Sequence, residues 1–219
     1  MLTNLVMVDG GRGPFAPSKI VCVAKNYAAH AAELASSVPT QPTFFIKPNS
    51  CLCDFAGPLA LPTGRGPVHH EIELALVIGR RLRDPAQAGM DAVAGYALAL
   101  DLTLRAVQND LREQGYPWEV SKAFPGACPM APVLPREALA EPQNARIGLA
   151  VNDETRQNDS TALMVYDIER LLYDATAAFG LEAGDVLLTG TPVGVGELRP
   201  GDRYTGWLEE HRYDGSIGG

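Results

Sequence analysis

Basic side chains are scarce in this sequence. Its 219 residues carry 18 Lys and Arg against 26 Asp and Glu, a formal net charge of −8. A nucleic-acid surface needs a basic patch, and electrostatic docking to anionic lipid needs the same. Neither nucleic acid nor membrane is therefore expected as a partner. Long apolar runs are missing too: no stretch approaches the roughly 20 residues of a membrane-spanning helix. The stretch MLTNLVMVDGGRGPF at the start lacks the basic and apolar regions of a secretory leader, and a cytoplasmic setting is expected. The four cysteines, Cys22, Cys51, Cys53 and Cys128, fit no paired zinc spacing and are expected to stay reduced. There is no Gly-x-Ser-x-Gly elbow, no His-Glu-x-x-His and no phosphate-binding loop with its Gly-Lys-Ser/Thr end. Serine hydrolases, zincins and P-loop nucleotide enzymes thus have no support.

What the chain does have is punctuation, with 22 Gly and 17 Pro spread throughout. Such spacing breaks it into short segments, as strand-rich folds require. Strands are predicted over 19–24, 43–48, 69–79, 93–103, 145–152, 185–190 and 202–210. Helices are predicted over 26–35, 102–115 and 166–181, where apolar residues recur with helical spacing or alanine dominates. No repeat or composition shift marks a boundary. One mixed domain over 1–219, mainly β with a few helices, is the expected fold class.

Residues 68–79 read VHHEIELALVIG. Side chains alternate along a strand, so His69, Glu71 and Glu73 share one face, and His70, Ile72 and Leu74 the other. Two glutamates on one face repel unless a cation lies between them or one is protonated. A solvated strand end would explain this stretch equally well on its own. Asp101 ends another apolar run, AGYALALD, and buried carboxylates must be paired or bind metal. Three carboxylates offer hard oxygen donors, which suit Mg2+, Mn2+ or Ca2+ rather than Zn2+. The adjacent His69 and His70 face opposite ways and are expected to support rather than ligate.

His30 and Glu33 lie three apart on the predicted first helix, where the carboxylate can fix the imidazole tautomer of a general base. A surface ion pair is the plain alternative. Arg105 and Gln108 follow Asp101 on a predicted helix, suited to a substrate carboxylate and a carbonyl. Lys47 and Lys122 are further candidate cations. DVLLTGTPVGVG (185–196) runs from a strand into a Gly-rich loop whose N–H groups and Thr191 hydroxyl would suit a small anion.

Taken together, CVAKNYAAHAAE, FFIKPNS, HHEIELALVIG, GYALALDLTLRAVQ, SKAFPGACPMAP and LEAGDVLLTGTPVGVGELRPGD resemble the fumarylacetoacetate hydrolase family, in particular its short acylpyruvase-type branch. The resemblance spans about residues 17–203. It implies the mixed β-sandwich roll of that family's C-terminal domain, usually as a homodimer. It also implies Mg2+ or Mn2+ on Glu71, Glu73 and Asp101, a catalytic His30–Glu33 dyad on a mobile lid, and a catalytic Lys122. Lys25, Asn26, Lys47, Arg105, Gln108 and Thr191 would bind substrate. The implied activity is hydrolysis of acylpyruvates, 2,4-diketo acids such as fumarylpyruvate or acetylpyruvate, to pyruvate and a carboxylic acid in aromatic catabolism. The intact dyad favours hydrolysis, since it can activate water. Oxaloacetate decarboxylation and isomerisation of 2-hydroxyhepta-2,4-diene-1,7-dioate are the alternatives, and a non-catalytic module binding metal and carboxylate is a third. The tail, residues 204–219, is polar and atypical of the family, which puts the expected pairing of the last strand at issue.

Overall fold

IELALVI, residues 72–78, is buried at every position, which only a strand covered on both faces allows. It is the centre of the largest sheet in a computed structural model that describes residues 5–13 and 16–219. Residues 1–4 and 14–15, part of the stretch read above for a leader, lie outside the described residues. In chain order the first strands are β1 Lys19–Ala24, β2 Thr43–Pro48, β3 Leu52–Asp54, β4 Val68–His70 and β5 Ile72–Ile78. Then come β6 Val93–Leu100, β7 Thr103–Leu104, β8 Cys128–Met130, β9 Leu134–Pro135 and β10 Arg146–Val151. The last are β11 Glu154–Ser160, β12 Val186–Leu188, β13 Gly196–Leu198, β14 Arg203–Leu208 and β15 His211–Ser216. Four α-helices join them: α1 Ala28–Glu33, α2 Arg105–Glu113, α3 Glu119–Lys122 and α4 Ile168–Phe179.

The large sheet runs β2-β1-β12-β5-β6-β8-β3, with β9 also on β6. A four-stranded sheet, β11-β10-β14-β15, packs on it through β10 against β5 and β14 against β6. A small third sheet is β13-β4-β7. The core between the layers holds Ile20, Leu74, Leu76, Leu98, Leu100 and Leu149. The sheets approach closely at Gly206, where an added methyl would lie 2.5 Å from Leu98 Cδ2 and 2.8 Å from Phe55 Cζ. This is the mainly β fold with few helices that the sequence predicts. No helix among the described residues is long and apolar enough to cross a membrane, and all four cysteines are free.

The strand predicted over 69–79 is broken at Glu71, with β4 in the small sheet and β5 in the large one. The joint is a side chain. Gln157, buried on β11, accepts the Ile72 N–H at 3.1 Å and contacts His70 Nδ1 at 3.0 Å. Its amide nitrogen donates to Thr191 Oγ1 and to the Pro192 carbonyl, both at 2.8 Å. Because the amide oxygen can only accept, Nδ1 carries the His70 proton. Burial pulls the His70 pKa down to about 4.

Helix bounds shrink for local reasons. Residues 103–104 pair as β7 with β4, so α2 starts only at Arg105. α1 begins after an extended Tyr27, and left-handed Ala35 (φ 48°) follows its end. The atypical tail is corrected more fully: β14 and β15 pair from Arg203↔Ser216 to Leu208↔His211, and β14 also pairs with β10. Tyr204, Gly206 and Leu208 turn inward, while β15 is a sheet edge whose side chains stay partly exposed. An edge strand needs no apolar pattern, which is why the tail looks merely polar.

Candidate active site

Three elements bring the carboxylates together. Glu71 sits at the break between β4 and β5, Glu73 one step into β5, and Asp101 just beyond β6. The Asp101 N–H donates to the Glu71 carbonyl at 2.8 Å, fixing the two segments side by side. All three side chains are at most 4% exposed. One oxygen from each lies within 4.8 Å of the others.

Three negative charges in one buried notch would repel severely, and cations offset most of that. Lys122, on α3, places Nζ 2.8 Å from Glu71 Oε2 and 2.6 Å from Asp101 Oδ2. The Phe45 ring lies over the same ammonium at 5.0 Å. Arg105 pairs with Glu71 Oε1 and donates to Gln108 Oε1 at 2.5 Å. Burial alone raises the Glu71 pKa, but Lys122 and then Arg105 overcome it and hold this carboxyl well below the usual range. Glu73 goes the other way. Among the described residues its one hydrogen-bond donor is the Gly190 N–H at 2.6 Å, and burial, then Asp101 and Glu71, push its pKa well up.

Lys47 lies 2.8 Å from Asp101 Oδ1, yet that oxygen receives no hydrogen bond. The ammonium has three protons, and all are directed to carbonyls: Leu102 at 3.2 Å, Ala127 at 3.0 Å, and Lys122. Asp101 Oδ1 is thus a buried acceptor held by the Lys47 charge at 2.8 Å while that ammonium is shared among three carbonyls. A hard divalent cation fits this donor set. The notch is all carboxylate oxygen, Glu73 makes no ion pair among the described residues, and Lys122 already sits there as a stand-in cation. Mg2+ and Mn2+ both suit it.

His30 Nδ1 is 3.0 Å from Glu33 Oε2, and Glu33 Oε1 accepts the Gly194 N–H at 3.0 Å. With Glu33 ionised, Nδ1 donates and Nε2 is left as the basic nitrogen. Gly194 has φ +103°, and a methyl there would lie 2.0 Å from the Arg156 carbonyl oxygen.

These groups line one narrow cavity of about 30 Å³. Lys25, His30, Glu71, Glu73, Asp101, Arg105, Gln108, Lys122 and Thr191 all reach it. Glu33, Asn26 and Lys47 do not. Glu33 lies behind His30. Asn26 is consumed as a clamp, donating to the carbonyls of Tyr166 (3.0 Å) and Thr189 (2.9 Å) and accepting the Tyr166 N–H (2.8 Å). Lys47 is spent on the backbone as described, so neither Asn26 nor Lys47 is placed to touch substrate. The Gly-rich loop is also corrected. Its Gly190 and Gly194 N–H groups bind the chain's own Glu73 and Glu33, not a free anion, and the Thr191 hydroxyl donates to the Ile72 carbonyl at 2.8 Å. Two polar residues at the site were not singled out from sequence. Gln157 is reachable only through the fold, whereas Arg112 falls on the helical face of Arg105 and Gln108 and could have been found by counting. A roomier groove of about 790 Å³ runs past Arg136, Leu139 and Asp167, away from the carboxylate cluster.

Comparison with known proteins places this cavity in context. Residues 19–211 match the family model described as fumarylacetoacetate (FAA) hydrolase C-terminal. The chain is 48% identical over 196 residues to the oxaloacetate tautomerase YcgM of Escherichia coli K12, covering 89% of this chain and 90% of that one. It is 40% identical to the mitochondrial oxaloacetate tautomerase FAHD1 of Homo sapiens, over 84% and 83% of the two chains. Among solved structures, a fumarylacetoacetate hydrolase family protein of Yersinia pestis CO92 superposes with a TM-score of 0.94 at 40% identity, covering 98% and 99%. The fumarylpyruvate hydrolase of Pseudomonas aeruginosa, in complex with Mn2+ and pyruvate, gives 0.90 at 32% identity over 100% and 97%.

Proposed function

The chain belongs to the fumarylacetoacetate hydrolase family, and from that premise we propose that it interconverts the keto and enol forms of a small 2-oxo acid of the oxaloacetate type. One observation carries the proposal: His30, oriented by Glu33, lines the same buried cavity as the three-carboxylate notch. Glu71, Glu73 and Asp101 would hold Mg2+ or Mn2+, which when bound supplies Lewis acidity toward the carboxylate and 2-oxo oxygens of a chelating substrate. His30 takes the proton from the carbon next to the 2-oxo group and delivers it to the 2-oxo oxygen to give the enol, and the same two transfers run backwards regenerate the keto form. Lys122 and Arg105 face the oxygen on which negative charge develops and stabilise it there. Arg105 Nε is buried without an acceptor, a donor still free for a substrate oxygen. Burial keeps competing water out, so the proton is conserved within the site. Two tautomerase-named relatives, at 48% and 40% identity, support this over hydrolysis.

Hydrolysis of acylpyruvates is the second reading. The same dyad can deprotonate a water for attack on the 4-carbonyl, and the fumarylpyruvate hydrolase neighbour, at 32% identity, supports it. A substrate panel decides between them. Oxaloacetate, fumarylpyruvate and acetylpyruvate are followed by ultraviolet absorbance with Mn2+ and with EDTA, together with pyruvate and carbon dioxide release. Tautomerisation predicts accelerated loss of the enol band of oxaloacetate without release of carbon dioxide, abolished by EDTA. Pyruvate formed from acetylpyruvate faster than any effect on oxaloacetate would transfer the assignment to the hydrolase.

A further inference from the structure

The face of α2 that carries Arg105 and Gln108 carries one more cation. Arg112 follows Arg105 by seven residues, two helical turns or about 10 Å along the axis, and lines the rim of the same cavity. The other cations of the cavity are drawn toward the notch: Arg105 pairs with Glu71 and Gln108, and Lys122 with Glu71 and Asp101. The Arg112 side chain has neither hydrogen bond nor ion pair among the described residues. Lys25 enters the rim from the end of β1, and its ammonium donates, among the described residues, only to the Ser36 hydroxyl, at 2.5 Å. It does so from a left-handed backbone, φ +58°, which a residue with a side chain rarely adopts. Burial, and after it the nearby Arg112, lowers the Lys25 pKa, so the two charges feel each other. Two like charges lining one cavity are costly for the free protein and favourable for an arriving anion.

We propose that Arg112 and Lys25 form a second anion subsite, which takes the distal carboxylate of a short 2-oxo dicarboxylate whose 2-oxo end lies in the carboxylate notch. The proposal rests on the reading of the cavity given above and narrows it to dianionic substrates. A 2-oxo monoacid with an uncharged far end would leave both cations unpaired and bind more weakly.

The test is a binding comparison on the Mn2+-loaded protein by isothermal titration, with 2-oxoglutarate, its uncharged-end counterpart 2-oxopentanoate, and oxalate as an inner-end probe. Wild type is expected to prefer 2-oxoglutarate by about tenfold or more, the usual worth of one charge-assisted hydrogen bond. Arg112→Gln should abolish that preference, Lys25→Gln should reduce it, and Arg112→Lys should restore part of it. Oxalate affinity should stay within about twofold throughout, because oxalate does not reach the rim. An absent preference in wild type, or one that survives both charge removals, overturns the subsite. If oxalate itself fails to bind the Mn2+-loaded wild type, the reading of the notch falls as well; if oxalate binds, only the subsite is lost.

Discussion

Lys122 and Asp101 are joined at the floor of the cavity, Nζ to Oδ2 at 2.6 Å, and the same ammonium reaches Glu71 at 2.8 Å. A lysine thus occupies the notch that its three carboxylates suit to a divalent cation. Lys122→Met should therefore destabilise the metal-free protein by about 3–5 kcal/mol, the cost of leaving buried charge uncompensated. It should also enlarge the rise in Tm on adding Mn2+ relative to wild type. Thermal unfolding with EDTA and with Mn2+ measures both; an unchanged metal-free Tm would mean that the ammonium does not neutralise the notch.

Glu73 stands beside that pair without a cation of its own, and burial favours its neutral form. Glutamine mimics that form. Glu73→Gln should change metal-free stability by less than about 1 kcal/mol, keeping an acceptor for the Gly190 N–H. The same substitution should remove the Mn2+-dependent rise in Tm. A full Mn2+ effect in the variant would take Glu73 out of the ligand set.

Under the proposed function His30 contributes chemistry rather than ligation. His30→Ala should lower kcat by about 10²–10⁴ while leaving the Mn2+-dependent Tm shift intact. Glu33→Gln, which keeps the ring nearby but weakens its orientation, should cost less. Equal loss of metal binding in His30→Ala would show that the imidazole serves the notch and not the substrate.

Asp185 makes a pH prediction away from the site. Burial raises its pKa, but bonds from Lys19 Nζ at 2.5 Å, the Glu182 N–H at 2.9 Å and the Ser18 hydroxyl at 2.7 Å reverse this and leave it lowered. A carboxylate depressed in the folded state binds fewer protons there than when unfolded. Its stabilisation is therefore complete above the unfolded value of about 3.9 and is lost as pH falls through the folded pKa. Asp185→Asn should cost about 1.5–3 kcal/mol at pH 7 and flatten acid unfolding below about pH 4. Parallel acid limbs for the two proteins, followed by circular dichroism, would contradict it.

How much of this was legible in the sequence depended on range. β1 and β2 fall on their predicted bounds because the signal is local, a continuous apolar run in β1 and a short apolar run ended by Lys47 and Pro48 in β2. The carboxylate notch was legible for the same reason: period two puts Glu71 and Glu73 on one face, and Asp101 ends its own apolar run. β11 was not legible, since ETRQNDS is an edge strand with only Gln157 fully buried, and nothing in its composition asks for a sheet. Lys47 and Asn26 look like pocket residues in the sequence, yet their partners lie 55 or more residues away. The Gly-rich loop followed the same rule: its N–H groups bind anions, but the anions are side chains from β5 and α1.

The Lys47 ammonium has one further consequence, for the order in which parts of the molecule come apart. It ties the carbonyls of Leu102, Lys122 and Ala127 to one fully buried centre beside Asp101. None of these segments can loosen alone without stranding a charge in the interior, so amide hydrogens across the cavity floor should exchange only through global unfolding. α1, six residues long and with only His30 and Ala31 buried, meets the Gly-rich loop through Glu33 and the Gly194 N–H, and its amides should exchange through a cheaper local opening. Cavity floor and α1 are therefore expected to belong to different cooperative units, with α1 opening while the floor keeps its geometry.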